Sequence, residues 1–492
     1  MPVEEFRTAA HRIVDLMADY LASIETYPVL PPVEPGELRA RLPAAPPEEP
    51  EPLDRLVDDY RALVEPNVTH WQHPGFMAYF PSSASGPGIL GEMLVATLVS
   101  NAMLWRTSPI ATELEEVTVD WLRAGFGLPD AFGGLFTDTA STSSLIALAA
   151  AREAATGAAT SGLATGPPLR VYASAEAHSS IEKACMTLGI GRQGLRRIPV
   201  DGSFRMGVRS LAAAIAEDRA AGLWPAAIVS TIGTTGSTSV DPTQRLAAIA
   251  EREGLWLHVD AAYAGATALL PERRGPFAGW ERADSIVVNP HKWLFTPLDC
   301  SLLLSRRMET LRAAFSLVPD YLRTLDRERP VHDYNEYTPQ LGRRFRALKV
   351  WLIVRYFGLE GLRRRLRAHI ALADRFRVWV DAESDAERLA PVPFSTVSFR
   401  WAPRAWAQRS DREAALDRLN EELLARLNRE GRVFLSHTRL AGRFTIRLAV
   451  GNLRTEERHI ADAWASICRL GRRLQREMEH ESYDSNSIFD FD

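Results

Sequence analysis

From about His73 to about Arg355 the chain alternates short apolar, β-branched runs with helix-like stretches, and this alternation limits the fold more than any other feature. The runs are Leu169–Ala173, Ala226–Ser230, Trp256–Asp260 and Ser285–Val288, each bounded by Gly, Pro, Ser or Asp. Between them lie helical patterns such as Leu211–Arg219 and Thr243–Glu253. Parallel strands need crossover connections, and crossover helices bury both sheet faces. The pattern therefore predicts an α/β fold with a mostly parallel sheet. Before it, residues 4–25 place Phe6, Ile13, Met17 and Leu21 at helical spacing. The proline-rich segment Pro28 to Pro52 reads as an extended linker or wrapping arm, and Leu53–Val64 as a second short helix. After Gly358, helical patterns carry strand-like pieces at Thr396–Phe399, Arg432–Leu435 and Thr445–Leu448, which reads as a smaller α+β domain. The expected division is a helical arm over 1–72 that wraps a second subunit, a large ligand-binding domain over 73–357, a small C-terminal domain over 358–480 and a flexible acidic tail over 481–492.

Composition narrows the function. With 492 residues, 46% hydrophobic, the chain can bury a large core and form more than one domain. A formal net charge of -4 argues against a nucleic-acid binder, whose phosphate contacts need a basic surplus. The run Arg363-Arg364-Arg365 sits in helix-like sequence and reads as a solvated helix face. Cys185, Cys300 and Cys468 lie far apart, so no CxxC metal or redox motif exists, and no metal site is expected. So few cysteines suit a reducing compartment. The N-terminus opens on acids without an apolar core, unlike a signal or transit peptide, and no run of 18 apolar residues occurs. The expectation is a cytoplasmic protein with no membrane and no nucleic-acid partner.

Five segments carry chemistry. SIVVNPHKWLFTPLDCS (285–301) runs a buried strand into Asn289-Pro290-His291-Lys292-Trp293. Ligands of open parallel sheets bind beyond the carboxyl ends of strands, which is where Lys292 falls. Partial burial there favours the free amine needed for imine formation; a surface lysine after a strand is the plainer alternative. WLHVDAAYAG (256–265) ends a second buried strand in Asp260, followed by small residues including Ala262. A carboxylate at that position needs a partner. A protonated pyridine nitrogen is one, and a helix N-cap is the other reading. GGLFTDTASTSSLIALAAAREAA (133–155) leads Thr139, Ala140 and Ser141 into an alanine-rich helix, which suits a phosphate cradle or an ordinary cap. YASAEAHSSIEKAC (172–185) places His178 before a helix, as a structural histidine or one that stacks on a ring. STIGTTGSTSVDP (230–242) offers the Thr231 or Thr234 hydroxyl after a strand, to a ligand oxygen or to the turn itself.

Together with THWQHPGFMAYFPSSAS (69–85), SPIATELEEVTVDWL (108–122), NPHKW and LGRRFRALKVW (341–351), in this order, the chain resembles the pyridoxal-dependent group II amino-acid decarboxylases, aromatic L-amino-acid decarboxylase branch, over about residues 5–470. The resemblance implies fold type I of the pyridoxal 5′-phosphate enzymes (aspartate-aminotransferase-like), as a homodimer with the active site near the interface. It implies that Lys292 holds the cofactor as a Schiff base, Asp260 pairs with the pyridine nitrogen and His178 stacks on the ring. Thr139, Ala140, Ser141, Asn289 and His291 would surround the phosphate, with Thr231 or Thr234 near the cofactor oxygen. Trp71, Tyr79, Phe80, Pro81 and Ser82 match the substrate-pocket stretch. VPDYLRTLDRERPVHDYNEYTPQLGRRFR (318–346) is similar to the mobile catalytic loop and the segment after it, and this reading puts the protonating tyrosine of decarboxylating members at Tyr334. Aldehyde-forming relatives typically carry phenylalanine at that tyrosine, so its presence favours plain decarboxylation.

The chain departs from the pattern at Thr142, where an acid commonly follows the phosphate-loop serine. It departs again at Asn101 and Met103, where animal relatives carry larger apolar or aromatic residues in a stretch that reaches the neighbouring subunit's pocket. Gly342 leaves space for an indole or catechol. The expected reaction is decarboxylation of an aromatic L-amino acid (tryptophan, tyrosine, phenylalanine or a hydroxylated form) to the amine. The alternatives are an aldehyde-forming enzyme, or a decarboxylase of a non-aromatic amino acid.

Overall fold

The computed structural model describes residues 1–164, 166–317 and 331–487. The chain forms two compact units: Ser82–Ala371 with Ala390–Thr396, and Met1–Pro81 with Leu372–Leu389 and Val397 onward.

The larger unit is built on a seven-stranded sheet. Its strands are β1 (Gly133–Thr137), β2 (Leu169–Ser174), β3 (Leu195–Ile198), β4 (Trp224–Thr231), β5 (Trp256–Asp260), β6 (Ser285–Val288) and β7 (Ser301–Ser305), in the order β1-β7-β6-β5-β4-β2-β3. β3, β2, β4, β5 and β6 pair in parallel, and β7 is antiparallel to both its neighbours. This is the mostly parallel α/β sheet that the alternation predicts. The four expected strand runs fall inside β2, β4, β5 and β6, and the two helical patterns inside the helices Val208–Ala220 and Thr243–Glu253. All residues of β5, β6 and β7 are buried, as strands covered on both faces must be. Gly265 is required by close approach: a Cβ there would lie 2.5 Å from Cγ2 of Val288 at the end of β6.

The second unit holds a four-stranded sheet of β8 (Ala386–Arg388), β9 (Thr396–Trp401), β10 (Ser436–Leu440) and β11 (Arg443–Ala449), in the order β10-β11-β9-β8, with β10–β11 and β9–β8 antiparallel. The expected runs Thr396–Phe399 and Thr445–Leu448 lie within β9 and β11. Arg432–Leu435 is not a strand: only Phe434 forms a bridge, to Phe76, and the strand begins at Ser436. The apolar run there serves a crossing point with a segment more than 350 residues earlier, which local sequence does not announce.

The first 81 residues belong to this unit. The helix Val3–Ser23 leads to the proline-rich stretch, which contains a short helix at Glu37–Arg41. Leu53–Asp59 is helical and continues into a wider turn at Tyr60–Val64. Val29 is fully buried with Phe76 and Ala78, and its N–H donates to the Gly431 carbonyl at 2.8 Å. The proline-rich arm is thus tied down at one apolar residue. Helical backbone runs from Leu372 back through a break at Gly358 (φ +63°) to Arg346, so the change of compact unit falls inside it, 14 residues beyond the expected boundary. The closing helix, Glu457–Ser487, takes in the backbone of 481–487, part of the expected tail; residues 488–492 lie outside the described residues.

Candidate active site

β4, β5 and β6 end in step. Thr231 is in register with Asp260, and Asp260 with Val287. Past the last rungs, Ile232 N–H donates to the Asp260 carbonyl (2.9 Å), Ala261 N–H to Val287 (3.1 Å) and Asn289 N–H to Ala262 (3.0 Å). The buried Asp260 side chain accepts from Ala262 N–H at 3.1 Å, so its carboxylate is held by its own turn.

Lys292 follows β6 in one helical turn, Pro290–Trp293, where its N–H donates to the Asn289 carbonyl at 3.0 Å. The turn is anchored by the next residue. Trp293 is buried, stacks on Tyr263 (4.9 Å between centroids, 5° between planes) and donates from Nε1 to His369 Nδ1 at 2.9 Å. Tyr263 is itself bonded to Ser395 Oγ at 2.7 Å. Lys292 is half-buried, and the chain has two other lysines, Lys183 and Lys349. Lys349 is buried and ion-paired with Glu92 at 2.8 Å, and Lys183 is exposed on the helix Ser179–Thr187. Lys292 is therefore the lysine that this sheet edge presents.

His178 caps that same helix: its Nδ1 accepts from Ser180 N–H at 3.1 Å. A backbone N–H can only donate, so the ring proton sits on Nε2. Burial lowers the His178 pKa, Lys292 and Lys183 add to the lowering, and Asp260 opposes it. His178 is thus a neutral ring in the electrostatic neighbourhood of both Asp260 and Lys292.

Thr139 caps the helix Ala140–Thr156, with Ala140 half-buried and Ser141 exposed in its first turn. One turn on, Ser143 Oγ bonds Thr137 Oγ1 (2.7 Å) and Ser301 Oγ (2.9 Å), fixing the helix start to β1 and β7. His291 is buried, accepts from Cys300 N–H at 3.1 Å, and burial pushes its pKa down to about 4. The Thr231 hydroxyl and the Asn289 side-chain oxygen are buried without a hydrogen-bond partner among the described residues. Thr234, the alternative to Thr231, is engaged in its own turn with Ser237 Oγ (2.9 Å) and Ser239 N–H (3.0 Å).

Other expected residues are placed differently. Tyr334 begins a short turn, Tyr334–Tyr337, and is 2% exposed in an apolar cluster with Leu135, Leu311 and Tyr337. Arg343, bonded to Glu115 at 2.6 Å, lies over its ring at 4.6 Å, and burial pushes its phenol far above the ordinary range. Its charged neighbours are Glu115, Glu116 and Arg343, not Lys292 or Asp260. Within one chain Tyr334 therefore packs in the core, and the structure does not bring it to the strand ends. Its neighbours in sequence bind the 101–105 stretch: Asp333 Oδ1 accepts from Trp105 N–H (2.9 Å), and Asn335 N–H donates to the Met103 carbonyl (3.1 Å). The charged loop residues Asp326, Arg327, Glu328 and Arg329 lie outside the described residues. Asn101 spends its side-chain oxygen on Arg343 N–H (2.9 Å). A Cβ at Gly342 would meet only Asn101 Nδ2, at 3.9 Å, so this position is open. Ser82 is half-buried in the larger unit. Trp71, Tyr79, Phe80 and Pro81 belong to the second unit, where Trp71 stacks on Phe76 at 4.1 Å and Tyr79 N–H donates to Ser436 Oγ at 3.0 Å.

Sequence reasoning missed three supports. His258 is fully buried between two serine hydroxyls. Asp241 accepts from Thr231 N–H (2.9 Å) and Met206 N–H (2.7 Å), and burial pushes its pKa up to about 6. His369 receives the Trp293 indole. Only His258 had a visible signal, a polar residue in an otherwise apolar strand two places before Asp260. Among the described residues no helix is long and apolar enough to cross a membrane, and no cluster of three or more His, Cys, Asp or Glu could hold a metal.

A lysine turn, a strand-end aspartate and a helix N-terminus on one edge of such a sheet define a pyridoxal-phosphate enzyme of fold type I. The family described as the pyridoxal-dependent decarboxylase conserved domain matches residues 35–402. Phenylacetaldehyde synthase of Arabidopsis thaliana is 41% identical over 95% of this chain and 96% of its own. Tryptophan decarboxylase 2 of Oryza sativa is 40% identical over 94% of each. A crystal structure of Oryza sativa TDC with PLP and tryptamine superposes with a TM-score of 0.92 at 36% identity, covering 96% of this chain and 99% of that one. The chain belongs to the pyridoxal-dependent decarboxylase family, in its aromatic branch. It is a carboxy-lyase, and its cofactor is pyridoxal 5′-phosphate.

The site fits that group. Two buried polar atoms have no partner among the described residues, a carboxylate suits a ring cation, and a helix start suits a phosphate. Thr231→Val removes a hydroxyl that bonds nothing else described, so the cofactor-free protein keeps or gains stability while cofactor affinity falls roughly three- to tenfold, the worth of one hydrogen bond. Thermal unfolding and cofactor titration check this; a destabilised protein with unchanged affinity contradicts it.

Proposed function

We propose that the enzyme converts an aromatic L-amino acid to its amine and carbon dioxide, working as a homodimer. Bound pyridoxal phosphate supplies a carbonyl carbon for amine exchange and a cationic ring that takes up the electron pair left when the carboxylate departs. The protein's residues do the rest. Lys292 holds the cofactor and is exchanged for the substrate amine. Asp260 keeps the ring cation paired, and neutral His178 lies against the site without adding competing positive charge. Thr139, Ala140, Ser141, Asn289 and His291 serve the phosphate.

The return of a proton to the α-carbon after carbon dioxide leaves is assigned to Tyr334: its O–H bond breaks, a C–H bond forms, and solvent restores the phenol. Its packing away from Lys292 within one chain favours action at the other subunit's site. Asp333 and Asn335 tie Tyr334 to the 101–105 stretch, which by family resemblance reaches the neighbouring subunit's pocket. The turn Tyr334–Tyr337 must then unpack from beneath Arg343 when substrate is bound. An aromatic side chain is supported by the resemblance of the stretch Trp71, Tyr79, Phe80, Pro81 and Ser82 to the family's substrate-pocket segment. It is supported too by the absence of lysine and arginine from 71–105, where an acidic substrate would need a cation.

The homodimer is supported by an apolar stripe on the helix Gly86–Leu98. Leu90, Leu94 and Leu98, four residues apart and on one face, are 56%, 51% and 60% exposed in the single chain. The exposed Phe6 and Val14 on the first helix support a wrapping arm.

Incubation with single aromatic L-amino acids should yield amine and carbon dioxide without hydrogen peroxide. Tyr334→Phe should divert product to aldehyde, peroxide and ammonia. Mixing Tyr334→Phe with Lys292→Ala chains should restore amine formation if the tyrosine serves the other subunit. Unchanged product from Tyr334→Phe would remove its role, and peroxide from the wild-type enzyme would mean aldehyde formation. By sedimentation the protein should have twice the chain mass of 54.7 kDa, and Leu94→Glu should shift it toward monomer. A monomeric wild-type enzyme with full activity contradicts the assembly.

A further inference from the structure

His258 lies in β5 with no exposed surface. Its Nδ1 is 2.9 Å from Ser285 Oγ and its Nε2 is 3.2 Å from Ser144 Oγ. Trp256 Nε1 also reaches Ser285 Oγ, at 2.8 Å. An indole N–H only donates, so Ser285 Oγ accepts from Trp256, and its remaining lone pair and its proton are left for His258. The imidazole bridges the two serine hydroxyls, one at each ring nitrogen.

Each end of the bridge belongs to a separate part of the site. Ser285 opens β6, the strand that delivers Asn289 and Lys292. Ser144 lies one turn into the helix that begins with Thr139, Ala140 and Ser141, beside the Ser143 that ties the helix to β1 and β7. His258 is two residues before Asp260, and alternate residues of a strand share a face. We propose that His258 is a positioning residue for the cofactor: through Ser144 and Ser285 it fixes the strand end that carries Asp260 against the helix that cradles the phosphate and the strand that delivers Lys292. Burial holds its pKa down at about 4, so the arrangement keeps its proton pattern across the neutral range. The inference rests on pyridoxal phosphate at this edge and is independent of which amino acid is consumed or which product forms.

The test compares His258→Leu, His258→Gln and Ser144→Ala in the full-length protein, reading the cofactor dissociation constant and the visible circular dichroism of the bound cofactor, neither of which requires turnover. His258→Leu should weaken cofactor binding about tenfold or more and alter the dichroic band, and Ser144→Ala should weaken it about threefold, as expected for two lost hydrogen bonds and one. His258→Gln, whose amide keeps one donor group and one acceptor for the two serines, should stay within about threefold of wild type. Ser144→Ala carries the test should the leucine variant fail to fold. Unchanged affinity and dichroism in folded His258→Leu or Ser144→Ala overturns the proposal. So does a glutamine variant as impaired as leucine, since the loss would then belong to ring packing.

Discussion

β4, β5 and β6 run parallel and end within one residue of a common row, with Thr231, Asp260 and Val287 side by side, and the site depends on that registry. At the carboxyl edge of a parallel sheet the strands turn outward and helices begin, so side chains and free backbone N–H groups converge on one ligand. A slip of one residue in β5 would carry both His258 and Asp260 to the opposite face. Registry is protected by the fully buried runs of β5, β6 and β7 and by the lacing of Ala261, Asn289 and Ile232 beyond the last rungs. The stacked Tyr263 and Trp293 then hold the lysine turn where the strands deliver it.

How much of this the sequence made legible depends on the range of the interactions. Strands buried on both faces read as continuous apolar runs, and Trp256–Asp260 and Ser285–Val288 match the structure residue for residue. Lys292 and Asp260 stand out because a charge at the end of such a run calls for an explanation. What required the fold was anything set by a distant partner. Arg432–Leu435 has strand-like composition, yet its pairing is a single bridge to Phe76. Thr231 and Thr234 are equivalent by composition; only the fold shows that one hydroxyl is consumed by its turn and the other is left over. Asn101 looks like a polar pocket residue until its oxygen is seen to cap Arg343 N–H. Tyr334 sits in a charged stretch and looks exposed, and its burial beneath Arg343 comes from packing against Leu135 and Leu311.

The same physics separates what the family shares from what distinguishes its members. Relatives about equally similar to this chain include both a phenylacetaldehyde synthase and a tryptophan decarboxylase, so likeness over the whole chain does not fix the product. Under the proposed function the outcome depends on one proton donor brought to the α-carbon. The position at Gly342 is open.

The central claim is that the sheet edge presents Lys292 to pyridoxal phosphate, and the chain's three lysines make that claim easy to test directly. Borohydride reduction of the holoenzyme, followed by peptide mass mapping, should find the pyridoxyl group on Lys292 and on neither Lys183 nor Lys349. A pyridoxyl group on either of those two, or a bound cofactor that reduces onto no lysine, would contradict the account.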